Sequence, residues 1–544
     1  MKIAASSVLL AVGLVVLSLS AGCRRTSEVT VNPAEHPNPT VSDAGGEKPQ
    51  VEVLEDALFL CFVDATPVGT ERRTLDKTQA GLKQHVVSTL SLQRFGEASS
   101  ARVEHVELLQ ADGALRSFDT RISLGGADLA YTGRLVDRTL KAEIATYGKE
   151  ETRELPMPAD VDAVFGGYAA DVSLRQKPMK PGETRSCVGI EPTTLAWVQL
   201  EMVCENAENV TRPDGKTFPL CRVKVRSKLL AANGTETPLQ KETFWCDGVG
   251  KVWKKHSELL NMTSWRVSAE EAEQFIEAAA KQEKQARVKP DTAGFDLGKD
   301  FSVPLKVEGK AGDIAAAKTA VYCVHVRDDS VSPAKVLQPG AFQQLEEIDA
   351  QTVRVRVSAA DEESRPRAAK SQNQPLPTDS KANALIQSDA PLIEGLAEQA
   401  AGGETEPAKL APKLERFVHG YITDKNYARG FVTAAEVAEH PAGDCTEHAV
   451  LFAALARAKR IPTRIVQGLI YVPEMSAFVW HVWNECWIDG VWQPYDATRG
   501  QGVVGPDHLR INASDFDSQT LASALVPVAQ LVGKLEIALE EVQP

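Results

Sequence analysis

The 544-residue sequence contains no run of lysine and arginine, and its 60 basic residues are outnumbered by 74 acidic ones. The formal net charge is −14 and the isoelectric point is near 5.4. A nucleic-acid surface requires concentrated positive charge, so this composition argues against a nucleic-acid partner. The ten histidines and nine cysteines are too scattered for a metal-storage protein.

Two further patterns are missing from the sequence. It has no acidic loop of the D-x-D-x-D-G type, so we expect no calcium site of that kind. It also shows no obvious internal repeat. The hydrophobic content of 43% and the charged content of 25% are ordinary for globular proteins. Because 544 residues are too many for a single core, we expect two to four domains.

The first 23 residues are typical of an export signal. Lys2 provides positive charge, and the apolar stretch Val8–Leu19 is too short to span a bilayer comfortably. The segment Leu19–Cys23 resembles a bacterial lipobox, which implies that Cys23 is lipidated and becomes the mature N-terminus. The alternative is an ordinary cleaved signal followed by a cysteine. Either interpretation places the protein outside the cytoplasm, and the first anchors it by lipid to a bacterial membrane, with the periplasmic face expected.

Export makes disulfides permissible for the other cysteines. Cys204 and Cys221 flank the turn-like run Thr211–Gly215, so we expect a bridge across a hairpin there. A second expected bridge joins Cys187 and Cys246.

The pattern of the chain predicts antiparallel all-β structure first and a domain of mixed helices and strands, an α+β domain, at the C-terminus. Short alternating stretches punctuated by glycine and proline favour β-strands, and Ser268 with Glu271 marks the start of a helix. Spacing of apolar residues predicts two more helices, Asn383–Ala400 and Glu406–Tyr421. The predicted segments are a signal peptide (1–23), a flexible tether (24–50), one or more β-rich domains (51–266), a helix with a linker (267–290), a second β domain (291–360), a linker (361–382) and a C-terminal domain (383–544).

An unusual helix start occurs within the C-terminal domain, in the stretch AGDCTEHAVLFAAL. Asp444 is placed as the N-cap and Glu447 completes a capping box, so Cys445 is predicted as the first helical residue. Unpaired N–H groups and the positive end of the helix dipole favour the thiolate at this position. The sequence therefore predicts a nucleophilic sulfur. His448, one turn later, is expected to make a structural hydrogen bond.

A predicted β-hairpin lies downstream in FVWHVWNECWIDGVWQPYDAT. Asp489–Gly490 is a strong two-residue turn signal. Counting outward from this turn makes His481 and Asp496 diagonal neighbours on one face of the hairpin. Trp480 and Trp483 are expected mainly in the core, with either one able to form a cleft wall.

Cys445, His481 and Asp496 supply the three roles of a cysteine nucleophile, its base and the group that orients the base. A zinc site is the alternative, because Cys445 with His448 and His481 with Cys486 mimic ligand spacings. Five residues along a strand, however, place Cys486 on the face opposite His481. The sequence therefore predicts neither a metal nor another cofactor.

Several motifs in this order resemble the transglutaminase-like family, a branch of the papain-like cysteine enzymes. The motifs are Gly443–His448, Ile461–Arg464, Trp480–Glu485 and Tyr495–Thr498. The resemblance covers residues 383–544 and is strongest from 441 to 500. It implies a papain-like α+β fold, with Cys445 as the nucleophile, His481 as general base and acid, and Asp496 as the orienting residue.

The implied chemistry is attack on an amide carbonyl of a peptide or protein, followed by release of the acyl group to water or to an amine. The first acceptor makes a peptidase or amidase, and the second makes a protein crosslinker. The sequence leaves both open. The competing interpretation is a non-catalytic binding or scaffold lipoprotein that keeps the same fold. The role of the N-terminal β region and the oligomeric state are not indicated.

Overall fold

The computed structural model describes residues 51–544, apart from gaps at residues 65, 95–96, 125–126, 147–148, 231–235, 287–295, 308–311, 330, 362–373, 426–431 and 518–525. The expected signal peptide, the lipidated Cys23 and the tether at 24–50 lie outside the described residues. So does most of the linker expected at 361–382. No helix among the described residues is long and apolar enough to cross a membrane.

Fifteen strands in the described N-terminal part form one sheet, in the order β8-β7-β6-β5-β4-β3-β2-β1-β15-β14-β13-β12-β11-β10-β9. Neighbours pair antiparallel, except that β9 runs parallel to β10. The strands are β1 (Glu52–Val63), β2 (Thr66–Thr78), β3 (Gly81–Arg94), β4 (Glu97–Leu109), β5 (Leu115–Leu124), β6 (Ala127–Val136), β7 (Thr139–Thr146), β8 (Lys149–Pro156), β9 (Val164–Phe165), β10 (Thr184–Glu191), β11 (Ala196–Thr211), β12 (Thr217–Leu230), β13 (Glu236–Cys246), β14 (Val252–Ser257) and β15 (Met262–Val267).

Alternation of apolar and polar side chains explains these strands. In β7, for example, Leu140, Ala142 and Ile144 are buried while the residues between them are exposed. Charged side chains are also buried in this part of the chain. The Arg73 guanidinium, for example, contacts the carboxylates of Glu71 and Asp171. Buried charges of this kind are retained only when they are paired.

Neither expected disulfide occurs, and all eight cysteines of the described chain are thiols. The predicted hairpin is present with a bulge, so that Cys204 pairs with Val223 and Cys221 with Ala207, and the two thiols contact each other without a bridge. Cys187 on β10 and Cys246 on β13 are separated by two intervening strands. At about 4.8 Å per strand this separation exceeds the reach of a disulfide.

The remaining strands form a second, nine-stranded sheet in the order β18-β19-β17-β24-β16-β21-β20-β23, with β22 paired to β21. They are β16 (Val303–Val307), β17 (Thr319–Val326), β18 (Gln343–Glu347), β19 (Thr352–Ser358), β20 (Thr463–Val472), β21 (Ala477–Ile488), β22 (Val491–Tyr495), β23 (His508–Ser514) and β24 (Leu535–Gln543).

The strands of residues 291–360, predicted as a second β domain, belong to this sheet. Strand β16 pairs with β21 and with the last strand, β24, and β17 also pairs with β24. The strands before the linker therefore complete the sheet of the C-terminal domain. Local alternation predicted these strands correctly, but it does not indicate which distant strand is their partner.

The helices of the described chain are α1 (Ala169–Gln176), α2 (Ala269–Ala286), α3 (Leu297–Asp300), α4 (Pro333–Val336), α5 (Pro391–Ala401), α6 (Pro407–Tyr421), α7 (Ala434–Glu439), α8 (Cys445–Ala458) and α9 (Val526–Leu531). Helix α8 is buried from Cys445 to Arg457. It packs between α5, α6 and α7 on one side and strands β20 and β21 on the other. The fold class expected from the sequence, all-β followed by α+β, is thus confirmed.

The predicted helix boundaries differ from the structure at one place. The helix expected over Asn383–Ala400 begins only at Pro391. The side chain of Asn383 accepts hydrogen bonds from the backbone N–H groups of Leu385 and Ile386. This local turn competes with helix formation. The expected capping box of α2 is present, because Ser268 and Glu271 bond reciprocally.

Candidate active site

The start of α8 is fixed by the predicted capping box. The Asp444 carboxylate accepts a hydrogen bond of 2.8 Å from the Thr446 N–H, and Glu447 accepts one of 2.9 Å from the Asp444 N–H. Gly443 has a φ of 146°, and a Cβ at this position would lie 2.4 Å from the Glu447 side chain. Cys445 is the first residue of the helix and is buried. Its sulfur therefore lies where the dipole favours negative charge.

The predicted hairpin is present in the predicted register. Asp489 and Gly490 have φ values of 50° and 80°, as a type I′ turn requires. Ile488 pairs with Val491, and pairing continues to Asn484 and Tyr495. The next residue along the chain is Asp496, beyond the end of β22.

His481 and Asp496 are in direct contact. The Nε2 atom of His481 lies 2.8 Å from Oδ2 of Asp496, and both side chains are buried. The other carboxylate oxygen of Asp496 accepts a 2.9 Å hydrogen bond from the Thr498 N–H. Nδ1 of His481 is buried and has no hydrogen-bond partner within the described part of the chain. One ring nitrogen is thus held by a carboxylate, and the other is available for proton exchange.

A series of contacts connects the start of α8 with Asp496. The N–H of Gly443 bonds the Asp424 carbonyl at 2.9 Å. The neighbouring Lys425 donates from Nζ to the Thr498 carbonyl at 3.2 Å, and Thr498 in turn bonds Asp496. The helix start and the carboxylate therefore lie on the same side of the domain.

Helix α8 also contacts the strand that contains His481. The side-chain amide of Asn484 on β21 donates a 3.0 Å hydrogen bond to the carbonyl of Ala449, one turn after Cys445. The structure thus brings His481 and Asp496 into contact and places Cys445 at the end of the helix packed on the same strand. In the described part of the chain, Nδ1 of His481 makes no hydrogen bond to the Cys445 sulfur.

His508 is a residue of the site that sequence reasoning missed. Its Nε2 atom lies 3.3 Å from the same Asp496 oxygen that contacts His481, and its Nδ1 atom lies 2.8 Å from Oδ1 of Asp507. It lies on β23, which is brought to the site by pairing with β20. The Asp507–His508 dipeptide alone gives no signal of this long-range pairing.

The His508 imidazole and the carboxylates of Asp496 and Asp507 shift one another's pKa values strongly. Burial would raise the pKa of Asp496, but His481 and His508 outweigh it and hold that pKa well below its usual range. Burial would lower the pKa of His508, but the Asp507 and Asp496 carboxylates raise it to about 9. At neutral pH, Asp496 is therefore an anion beside a positively charged His508.

The family model of the transglutaminase-like superfamily matches residues 394–497, which include Cys445, His481 and Asp496. This segment is a transglutaminase-like domain. No curated protein sequence matches the chain.

Two solved structures are similar to parts of the chain that contains this transglutaminase-like domain. A candidate cysteine protease from Cytophaga hutchinsonii is 14% identical with a TM-score of 0.26, over 41% of this chain and 86% of that chain. A candidate protease from Parabacteroides distasonis is 11% identical with a TM-score of 0.17, over 72% of this chain and 69% of that chain.

The supporting residues of the transglutaminase-like domain have mainly structural contacts. His448 bonds the Asp444 carbonyl through Nδ1 at 2.6 Å, and burial lowers its pKa to about 4, so it stays neutral. Trp480 is fully buried in the core. The Trp483 ring stacks on His481 with centroids 6.1 Å apart, and it lies against Gly468, where a Cβ would approach it to 2.4 Å.

Cys486 is not suited to the zinc site that the sequence offered as an alternative in the transglutaminase-like domain. The Cys486 thiol contacts the Thr463 hydroxyl on β20 at 3.4 Å, and burial raises its pKa to about 12. A zinc-binding cysteine must be a thiolate. A different group, His481, Asp496 and His508, has donor atoms within 4.8 Å of one another. Hydrogen bonds between these side chains account for their arrangement without an ion.

Proposed function

We propose that the transglutaminase-like domain is a cysteine enzyme that transfers acyl groups from peptide or protein amides. Cys445 is the nucleophile, His481 is the general base and acid, and Asp496 orients His481. One observation carries the proposal: the buried 2.8 Å contact between His481 and Asp496, on a strand packed against the helix that begins at Cys445. Three such roles form the minimal constellation for nucleophilic catalysis.

The first half of the reaction forms a thioester. The His481 ring takes the Cys445 proton on Nδ1, and the thiolate attacks the amide carbonyl carbon as the C=O electron pair moves to oxygen. Backbone N–H groups at the start of α8 supply the donors for this oxyanion. When the oxyanion collapses, the C–N bond breaks and His481 returns its proton to the leaving amine.

The second half releases the acyl group. Water or a primary amine attacks the thioester carbonyl while His481 takes the proton of the nucleophile. The C–S bond then breaks and the proton passes to the sulfur, which regenerates Cys445. With water the products are an acid and an amine; with an amine the product is a new amide. The same three residues serve both outcomes.

Selective alkylation tests the proposal. Iodoacetamide at neutral pH should label Cys445 first, and this label should disappear in Cys445→Ala and form more slowly in His481→Ala. Cys323→Ala is the matched control, because this partly exposed thiol on β17 lies outside the proposed site. Labelling of Cys445 no faster than an ordinary thiol, with no effect of His481→Ala, would favour a non-catalytic scaffold.

The acyl acceptor requires a separate experiment. A library of glutamine-containing peptides is incubated with the protein, with and without a primary amine, and the products are identified by mass spectrometry. Amine adducts that depend on Cys445 indicate transfer, whereas cleaved or deamidated peptides indicate hydrolysis. An unchanged library contradicts both forms of the proposal.

We also propose an extracytoplasmic location with a lipid anchor at Cys23. The lipobox-like run Leu19–Cys23 supports it. Expression in bacteria with an alkyne analogue of palmitate should label the full-length chain and place it in the membrane fraction. Cys23→Ser should abolish both. A chain that is labelled equally in both forms contradicts the anchor.

A further inference from the structure

His508 lies between two carboxylates in the interior of the domain. Its Nε2 atom reaches Asp496 at 3.3 Å and its Nδ1 atom reaches Asp507 at 2.8 Å. The imidazole is 2% exposed, and the indole of Trp483 meets it edge-on with centroids 5.1 Å apart. Both ring nitrogens of His508 are therefore engaged with acceptors, and the ring is held by packing.

The Asp496 carboxylate is shared by two imidazoles. Its Oδ2 atom contacts Nε2 of His481 at 2.8 Å and Nε2 of His508 at 3.3 Å. The two imidazole centroids lie 5.8 Å apart. The Thr498 N–H holds the other carboxylate oxygen, Oδ1. His508 therefore contacts the same oxygen that holds the His481 ring.

Other charged and titratable groups of the described chain surround this cluster. Arg499 and Tyr322 interact electrostatically with Asp507, and Glu415 and His448 interact with Asp496. Glu485 and Arg510 border the same small cavity of about 30 Å³ as His508. Glu485 pairs with Arg510 at 3.1 Å and with Arg464 at 2.6 Å. The side chains in direct contact with the Asp496 carboxylate are those of His481 and His508.

We propose that His508, held by Asp507, is a positioning residue of the Cys445–His481–Asp496 triad, which fixes the Asp496 carboxylate and weakens its hold on the His481 proton. This inference rests on the proposed function. A cation on His508 repels the imidazolium form of His481 and competes for the shared oxygen. His481 therefore returns its proton to the leaving amine more readily than a histidine whose carboxylate partner contacts no second imidazole.

The charge state of His508 supports this role. Its carboxylate partners raise its pKa to about 9 against the effect of burial, so it is a cation through the neutral range. Unit charges on the two rings, whose centroids lie 5.8 Å apart, repel each other at an effective dielectric constant of about 20 by the equivalent of about two pH units.

The pH dependence of Cys445 alkylation by iodoacetamide tests the inference. The rate should rise in two steps, first when the thiolate–imidazolium pair forms and again when His481 loses its proton. In His508→Gln the second inflection should move upward by about two pH units. Asp507→Asn should move it in the same direction by less, because His508 keeps only Asp496 as a partner.

The controls separate this inference from the proposed function. In His481→Ala only the inflection of the Cys445 thiol should remain, and adding His508→Gln should not restore a second one. A merely structural His508 would slow alkylation at every pH without moving the inflection, and that result overturns the inference alone. An alkylation profile that does not respond to His481→Ala overturns the triad and, with it, the role of His508.

Discussion

Replacing Asp496 by asparagine tests the buried charge at the centre of the site. The Asp496→Asn side chain would keep its size and could still accept from the Thr498 N–H, but it would lose the charge that contacts His481 and His508. A charge-assisted hydrogen bond contributes about 1.5–3 kcal/mol, and breaking one partner from a buried ion pair costs about 3–5 kcal/mol. Since His508 retains Asp507, we expect the lower end, a loss of about 3 kcal/mol at pH 7.

The assay is urea unfolding followed by tryptophan fluorescence, combined with the rate of Cys445 alkylation. Four tryptophans, at positions 480, 483, 487 and 492, report on this domain. Glu394→Gln is the matched control, since it removes a carboxylate charge that is exposed on α5. A loss below about 1 kcal/mol, together with unchanged alkylation, would refute the reasoning that Asp496 is an anion held between two imidazoles.

Three other predictions follow from the helix start and from His508. Asp444→Ala removes the N-cap of α8 and should cost about 1–2 kcal/mol in urea unfolding and slow Cys445 alkylation. Gly443→Ala combines a positive φ with a clash against Glu447 and should cost about 1–3 kcal/mol; an unchanged unfolding midpoint would contradict it. Because the folded pKa of His508 is raised from 6.5 to about 9, its stabilisation is full below about pH 6.5 and is lost as the pH rises through about 9. Wild-type protein should therefore lose about 3 kcal/mol more than His508→Gln between pH 6 and pH 10 in unfolding experiments.

The sequence predicted those parts of the site that depend on residues close together in the chain. The capping box placed Cys445 at the first position of its helix, and the Asp489–Gly490 turn set a register from which the contact between His481 and Asp496 followed. Both depend on residues within a few positions of one another. His508 could not be predicted in this way, because β23 reaches the site only by pairing with β20.

The same distinction applies to the strands before the linker. Alternation in the segments around Val303 and Thr319 predicted strands, and strands are there. Their partners, β21 and β24, lie more than 150 residues later in the chain. The alternation within a strand indicates which of its two faces is buried, but it does not indicate which strand pairs with it. The expected bridge between Cys187 and Cys246 is absent for a related reason, because two strands lie between β10 and β13.

The most direct test of the catalytic assignment is the rate of Cys445 alkylation in acid, compared between the wild-type protein and His481→Ala. A sulfur paired with imidazolium should react at pH 6 at a substantial fraction of its rate at pH 8, because the thiolate is already formed. In His481→Ala the rate should instead follow the ionisation of an ordinary thiol near pH 8.5. The variant's rate at pH 6 should then be at least about tenfold lower than its own rate at pH 8. Equal profiles for the two proteins would contradict the account.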